Sequence, residues 1–295
     1  LLHLQVLDHR ESRELQYKLA DRAVDLGWSR DRVLVIDDDQ AQTASTIEGR
    51  LGFQRLLADA RPDYLLHLAS CVTGRREIEW VRETFAGNLQ SAVNVLVAAQ
   101  NVGVSKTVLA GSLEEPDAAD AAPIASSPYA ASKWCASAYA RMMHALYGTR
   151  SATARIFMVY GPGQQDLKKL VPYVCLSAAR GEAPELMSGG REVDWVYVDD
   201  VVNGLIELAL AGPDNGDYVD LGSGQLFTTG EIARRICDSA GTGVAPVLGA
   251  VPDRAMEQVR KADVEATREI IGWQPAIDID EGLRRTYDWY RSLKP

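Results

Sequence analysis

The sequence has no excess of basic residues and no long apolar run, and each absence excludes a class of protein. Lys plus Arg number 31 against 41 Asp plus Glu, and the resulting net charge of −10 disfavours nucleic acid as a partner. No apolar run approaches the ~20 residues that cross a bilayer, and the front end lacks the cationic and apolar regions of a signal peptide. We therefore expect no membrane partner.

Closely spaced cysteines are also absent. Their spacing is neither the CxxC of a redox or zinc motif nor the density of a secreted disulfide scaffold. This predicts a reducing compartment, and we expect a cytoplasmic protein. The four cysteines are Cys71, Cys135, Cys175 and Cys237.

What is present is the composition and the periodicity of a globular α/β protein. Of the 295 residues, 46% are hydrophobic and 24% are charged, so we expect one large α/β domain or a main domain with a smaller lobe. Short β-branched or Leu-rich runs alternate with amphipathic stretches, which predicts a parallel sheet covered by helices. After Gly161 the alternation loosens and loop residues increase, which indicates a smaller mixed lobe. The predicted strands are 2–8, 32–37, 64–70, 106–112 and 151–161, and the predicted helices are 11–26, 49–60, 80–101 and 128–147.

Tyr129 and Lys133 stand four residues apart at the start of a predicted helix, so they share a helix face. An ammonium beside a phenol stabilises the phenolate and lowers a pKa that is ordinarily about 10, which makes tyrosine usable as an acid or base near neutral pH. The alternative is a packed tyrosine with a solvated lysine, since this spacing also arises by chance. Ser112 ends the predicted strand 106–112, where open α/β sheets bind ligands, and can hydrogen-bond a substrate oxygen.

From Arg61 to Trp289 the sequence resembles the extended short-chain dehydrogenase/reductase family, in its NAD-dependent epimerase/dehydratase group that acts largely on nucleotide sugars. The resemblance rests on an ordered set of segments, among them AGSLEE, which contains Ser112, and YAASK, which contains Tyr129 and Lys133. The other segments are RPDYLLHLAS, GNLQSAVNVLVAA with Asn88, RIFMVYGPGQ, REVDWVYVDDVV, DYVDLGSGQLFTTGEIA, PDRAMEQVRKAD and IIGWQPAIDIDEGLRRTYDWY.

The resemblance implies a Rossmann-like, doubly wound parallel sheet over residues 1–165 and a smaller, mixed substrate-binding lobe over 166–295, with some segments returning to the sheet. It implies a catalytic triad of Ser112, Tyr129 and Lys133: Tyr129 is the acid/base, Lys133 tunes it and bonds the nicotinamide ribose, and Ser112 orients the sugar. It also implies NAD or NADP as the cofactor, with a contact from Ala69. A homodimer through the helices of YxxxK and Asn88 is an expectation from the resemblance alone.

Three residues are implied to bind the substrate, namely Glu114, Arg191 and Arg254. Glu114 stands where dehydratases of the family keep an acidic residue, but Leu113 replaces the Asp that precedes it, which favours epimerisation or keto reduction over dehydration. Arg254 matches the family's Arg in its RPGD-like segment and suits a diphosphate, since Arg stays charged and bonds two oxygens at once. At the position where the family tends to have an Arg, this chain has Val193, and Arg191 lies two positions earlier. Arg191 is a plausible substitute for that residue; the alternative is that Arg191 is a solvated surface charge.

Asp199 and Asp200 form an acidic pair that could be mistaken for metal ligands. We expect them instead to cap the helix that follows, because Asp at a helix start accepts the free backbone N–H groups. We predict no metal site.

The first 60 residues lack the glycine-rich turn that a Rossmann cofactor site normally carries. Only Gly lets the backbone approach the pyrophosphate above a helix N-terminus, and Gly27, Gly49 and Gly52 do not have the family's GxxGxxG spacing. One interpretation is that the chain has lost its opening strand, turn and helix. Asp8 would then bond the adenosine ribose, and Asp38 would lie near the adenine.

A second interpretation is that residues 1–55 resemble the catalytic domain of serine recombinases, through ESRELQY, AVDLGW, VIDDD and EGRLGFQRLL. The YxRxS nucleophile segment is missing, and Ser12 and Ser45 do not fit its position, so we do not predict recombination. We interpret the chain as a recombinase-like fragment joined near residues 54–62 to a dehydrogenase/reductase body. The predicted function is an NAD(P)-dependent nucleotide-sugar epimerase or 4-ketoreductase; the alternatives are a non-catalytic remnant of that family and, remotely, a recombinase fragment.

Overall fold

The computed structural model describes residues 2–3, 24, 29–32, 35–36, 61–117, 122–164, 166–252 and 258–293. The chain divides into two compact units. The first contains Leu1–Leu109, Ser127–Ser151 and Asp214–Gly216, and the second contains Ala110–Ser126, Ala152–Pro213 and Asp217–Pro295. The sequence-based division at residue 165, into a cofactor domain and a substrate lobe, stays a prediction.

The strands confirm the predicted α/β class with a parallel sheet. One sheet has the strand order β3-β4-β5-β8 and another the order β6-β7-β9, while β1 pairs in parallel with β2. The β3–β4 and β6–β7 pairs are parallel and β7–β9 is antiparallel, so the three-stranded sheet is mixed. In chain order the strands are β1 (Leu2–His3), β2 (Val35–Ile36), β3 (Tyr64–His67), β4 (Lys106–Ser112), β5 (Ser151–Ile156), β6 (Met158–Tyr160), β7 (Glu192–Tyr197), β8 (Asn215–Leu221) and β9 (Leu226–Thr228).

The helix Pro128–Tyr147 begins and ends at residues that favour helix termini. Ser127 Oγ accepts the backbone N–H of Ala130 at 3.1 Å, with Pro128 in the first turn, and Gly148 ends the same helix at φ 69°. The helices are α1 (Glu79–Thr84), α2 (Ser91–Val102), α3 (Pro128–Tyr147), α4 (Leu170–Ala179), α5 (Val198–Ala211), α6 (Thr229–Ala240), α7 (Val264–Ile271) and α8 (Ile279–Ser292).

Two predicted elements are divided in the structure. The helix predicted over 80–101 consists of α1, a π-helical turn at Phe85–Gln90, and α2. The strand predicted over 151–161 breaks at the buried Phe157, whose backbone N–H donates to the Leu221 carbonyl at 3.0 Å. As a result β5 belongs to the four-stranded sheet and β6 to the three-stranded one.

Each unit has its own apolar core. In the first unit, α2, α3 and β4 contribute Ala92, Leu96, Leu109, Ala136, Ala140 and Met143. In the second unit the core includes Tyr160, Val174, Trp195, Ile232, Ile236 and Leu283. Among the described helices, none is both long and apolar enough to cross a bilayer.

Candidate active site

The first two turns of α3 bring Tyr129 and Lys133 together. Lys133 is buried, and its Nζ lies 5.9 Å from the centre of the Tyr129 ring, while Tyr129 itself is half-buried. The Ser127 cap and the proline after it define where the helix begins, and therefore which turn presents the phenol. Lys133 is therefore not solvated, whereas the acid–base role of the pair stays a prediction.

A single buried amide, that of Asn88 in the π-helical turn, ties this turn of α3 to the loop after β3. Asn88 Oδ1 accepts the Ser70 hydroxyl at 2.9 Å and the Cys71 backbone N–H at 2.7 Å. Its Nδ2 donates to the Cys71 carbonyl at 3.3 Å and to Ser132 Oγ at 2.9 Å. Ser132 Oγ in turn donates to the Tyr129 carbonyl at 2.7 Å, so the network reaches the backbone of the candidate acid/base.

His67, the last residue of β3, belongs to the same group of polar residues. Its Nε2 lies 3.1 Å from Ser91 Oγ, whose own proton is donated to the Gly87 carbonyl at 2.7 Å. The serine must then accept from the imidazole, which assigns the proton to Nε2. Burial and the positive charge of Lys133 lower the pKa of His67 to about 4, so the imidazole is neutral at neutral pH.

The loop after β3 approaches the π-helical turn closely. A Cβ at Gly87 would lie 2.9 Å from the Cys71 Cβ, closer than side chains come, so this position requires glycine. Burial and the Glu83 carboxylate raise the pKa of the Cys71 thiol, which therefore stays protonated at neutral pH. Ala69, the residue implied to contact the cofactor, is exposed in this loop.

In the second unit, Ser112 ends β4 and is held by the turn that follows it. Ser112 Oγ accepts the Glu114 backbone N–H at 3.2 Å, and the Ser112 N–H donates to Glu115 Oε1 at 2.8 Å. The buried Glu115 carboxylate lies over Gly111, where an added Cβ would meet Glu115 Oε1 at 2.7 Å. These contacts fix the position of the serine hydroxyl, whose O–H can donate to a substrate oxygen.

The two implied substrate residues described in this unit bind each other. Arg191 Nη2 donates to Glu114 Oε1 at 2.6 Å and to the Gln258 carbonyl at 3.3 Å. The Arg191 side chain is 18% exposed and that of Glu114 is 22% exposed. Arg191 is therefore a partly buried ion-pair partner, and its interpretation as a solvated surface charge is wrong.

Arg260 also holds this turn, and the sequence analysis assigned it no role. Its Nη1 donates to the carbonyls of Leu113 at 3.3 Å and Glu115 at 3.0 Å, and its Nη2 lies 3.7 Å from an Asp117 carboxylate oxygen. His67 and Glu115 were missed as well. All three lie within segments that resemble the family, and that location was the one available signal.

The expectation that Asp199 and Asp200 cap α5 is wrong. No side chain caps that helix, and the buried Asp200 carboxylate accepts the backbone N–H groups of Ala276 and Ile277, both at 3.0 Å. The carboxylate therefore satisfies the backbone of a distant segment, which a sequence window does not reveal. Within the described ranges, no group of three or more His, Cys, Asp or Glu side chains could hold a metal ion.

The remaining predicted site residues, Asp8, Asp38 and Arg254, lie outside the described residues, as does most of the segment that resembles a serine recombinase. The structure thus describes Tyr129 and Lys133 in the first unit and the Ser112 turn with its Glu114–Arg191 ion pair in the second.

Known proteins similar to this chain act on nucleotide sugars. The UDP-glucose 4-epimerase of Mycolicibacterium smegmatis is 28% identical over 251 residues, which cover 80% of this chain and 79% of that protein. The dTDP-glucose 4,6-dehydratase of Neisseria gonorrhoeae is 28% identical over 275 residues, which cover 83% of this chain and 79% of that protein.

A solved structure shows the same fold. The UDP-glucose 4-epimerase of Thermotoga maritima, determined with UDP-glucose, superimposes with a TM-score of 0.79 at 22% identity and covers 94% of this chain and 95% of that one. This confirms the Rossmann-like class. A model of the NAD dependent epimerase/dehydratase family matches residues 18–220. This chain therefore belongs to the NAD-dependent epimerase/dehydratase family.

Proposed function

We propose that this protein is an NAD(P)-dependent nucleotide-sugar epimerase or 4-ketoreductase. The observation that carries the proposal is the Tyr129–Lys133 pair, in which a buried ammonium lies 5.9 Å from the ring of a half-buried phenol. Tyr129 removes the proton of a sugar hydroxyl, or returns it to the carbonyl oxygen, and Lys133 stabilises the phenolate while it does so. In the second unit, Ser112 donates a hydrogen bond to a sugar oxygen.

The described residues fit the nicotinamide end of the cofactor. Lys133 would offer its ammonium to the ribose hydroxyls, and Ala69, which is exposed in the loop after β3, would contact the cofactor. The residues implied for the adenosine end, Asp8 and Asp38, lie outside the described residues. When bound, the nicotinamide ring supplies the acceptor and donor of a hydride.

Epimerisation or keto reduction is favoured over dehydration by the surroundings of Glu114. Its carboxylate is engaged by the Arg191 guanidinium at 2.6 Å, and the preceding residue, Leu113, is buried and apolar. Elimination of water needs an acid and a base that can exchange protons with the sugar. The Glu114 carboxylate is held in a charge-assisted hydrogen bond, and position 113 has no second carboxylate. Glu114 is therefore poorly suited to exchange protons in an elimination of water.

Product analysis tests the proposal. The protein is incubated with NAD and UDP-glucose or dTDP-glucose, and separately with NADPH and a 4-keto nucleotide sugar, and the products are analysed by mass spectrometry and NMR. We expect either an isomer of unchanged mass or a keto sugar that gains two hydrogens; loss of one water from the sugar would contradict the proposal.

Tyr129→Phe should lower turnover at least about 100-fold, because it removes the group that exchanges the proton. The matched control is Tyr139→Phe, on the exposed face of the same helix, which should leave turnover unchanged. Turnover that survives Tyr129→Phe would show that another residue is the acid/base.

A non-catalytic remnant of the family is the second candidate. The observation that favours it is the missing GxxGxxG segment in the first 60 residues. A remnant binds a nucleotide or nothing and turns over no nucleotide sugar under either condition above.

A further inference from the structure

The ion pair between Glu114 and Arg191 occupies the guanidinium that the resemblance assigns to substrate binding. Arg191 Nη2 and Glu114 Oε1 are 2.6 Å apart, and the side chains are 18% and 22% exposed. Low exposure reduces screening by water and salt, so the attraction exceeds that of a surface pair. An anion that binds Arg191 through Nη2 must therefore compete with the Glu114 carboxylate.

Glu114 also connects this guanidinium with Ser112. Its backbone N–H donates to Ser112 Oγ at 3.2 Å, while its side chain binds Arg191. One residue thus links the hydroxyl proposed to bind the sugar with a cation suited to phosphate. In a nucleotide sugar the diphosphate is attached directly to the sugar ring, so the two substrate groups are also neighbours. The other guanidinium at this turn, that of Arg260, donates to two backbone carbonyls.

We propose that Glu114 and the diphosphate of the substrate compete for Arg191, so that Glu114 sets the affinity for the nucleoside diphosphate; this inference rests on the proposed function. A paired guanidinium and carboxylate carry no net charge and attract a diphosphate weakly. A guanidinium released from the carboxylate offers a full charge and two parallel N–H donors to phosphate oxygens. Glu114 is therefore a specificity-determining residue, because a ligand without a diphosphate does not displace it.

Isothermal titration calorimetry with UDP and dTDP, and with uridine and thymidine as ligands without phosphate, tests this inference. Glu114→Gln keeps the size of the side chain and removes its charge, so UDP or dTDP should bind about tenfold more tightly. Glu114→Ala should give a gain in the same direction. Binding of the nucleosides should not change. Adding Arg191→Gln to Glu114→Gln should abolish the gain.

The matched control is Glu182→Gln, which removes the carboxylate of the exposed Arg180–Glu182 pair and should bind like the wild type. Equal or weaker binding of UDP and dTDP by both Glu114 variants overturns the inference and leaves the proposed function standing. A gain that persists in the double variant also overturns it, since the effect would not act through Arg191. If neither the wild type nor any variant binds these ligands, the proposed function fails together with the inference.

Discussion

At the residue scale, His67 links the pH of the solution to the stability of the fold. Burial and the charge of Lys133 lower its pKa to about 4, whereas an unfolded imidazole titrates near 6.5. Between these values the unfolded chain binds one proton more than the folded chain, so acidification favours unfolding. We expect His67 to lower the free energy of unfolding by up to about 3 kcal/mol as the pH falls from about 6.5 to 4.

Urea unfolding at several pH values through this window checks the prediction. His67→Gln should lose this part of the pH dependence, because the variant has no imidazole to protonate. His144→Gln is the matched control, since it removes a histidine that contacts the Thr149 carbonyl, and it should keep the wild-type dependence. An identical pH dependence in His67→Gln and the wild type would show that His67 does not couple protonation to unfolding.

The sequence separation between interacting residues determined which parts of the candidate site could be predicted. Tyr129 and Lys133 are four residues apart, so helical periodicity alone places them on one face. His67 binds a serine 24 residues away, and Arg260 binds a carbonyl 147 residues away. Asp200 was predicted to cap a helix, but its carboxylate accepts backbone N–H groups that lie 76 and 77 residues further along the chain.

At the element scale, the π-helical turn depends on the absence of a side chain at Gly87. A Cβ there would lie 2.9 Å from the Cys71 Cβ, so alanine must push the turn and the loop after β3 apart. That movement would stretch the hydrogen bonds of Asn88 as well. Although alanine suits helices better than glycine by about 1 kcal/mol, we expect Gly87→Ala to lower the free energy of unfolding by about 1–3 kcal/mol.

Urea unfolding at pH 7 measures this effect against Gly190→Ala. At Gly190 an added Cβ would meet Ser188 Oγ at 3.7 Å, an ordinary contact, so stability should change by less than about 0.5 kcal/mol. A Gly87→Ala protein as stable as the wild type would mean that the turn and the loop can separate without loss.

Elements with clear end signals were predicted with the bounds that the structure has. The α3 helix, which begins after Ser127 with a proline and ends at Gly148, spans the predicted 128–147, and β4 spans the predicted 106–112. The breaks inside 80–101 and 151–161 have no such signal, because their apolar periodicity continues. At each break the chain meets a distant segment: Gly87 lies against Cys71, and the Phe157 N–H donates to the Leu221 carbonyl.

At the scale of the whole molecule, the α/β class followed from alternating strands and helices, and the ordered motifs indicated the family that the comparisons establish. The family match begins at residue 18, so it includes most of the segment that resembles a serine recombinase. That second resemblance stays a prediction, as do the homodimer and the cytoplasmic location. Neither the fold nor the packing of the described residues tests these three predictions.

Cofactor binding should raise the thermal stability of the whole chain. A ligand that binds only the folded state at 100 times its dissociation constant adds about 2.7 kcal/mol, which corresponds to a rise of about 5 to 10 °C for a chain of this size. We expect this rise in a thermal unfolding scan with one pair among NAD, NADH, NADP and NADPH. Lys133→Met should reduce the rise, because it removes the ammonium proposed to bind the ribose.

The control for this scan is Lys168→Met, which removes an exposed ammonium in the second unit and should show the wild-type rise. If none of the four nucleotides changes the midpoint of unfolding, the chain does not hold a nicotinamide cofactor, and the non-catalytic remnant becomes the supported function.

The π-helical turn has a consequence for how this chain is compared with others. A π turn contains one residue more than an α-helical turn, and one residue corresponds to a rotation of about 100° around the helix axis. The faces of α1 and α2 are therefore out of phase by that angle. Where a relative has a regular helix instead, a correct alignment needs a gap of one residue within Phe85–Gln90. An alignment without that gap pairs inward-facing residues with outward-facing ones in either α1 or α2.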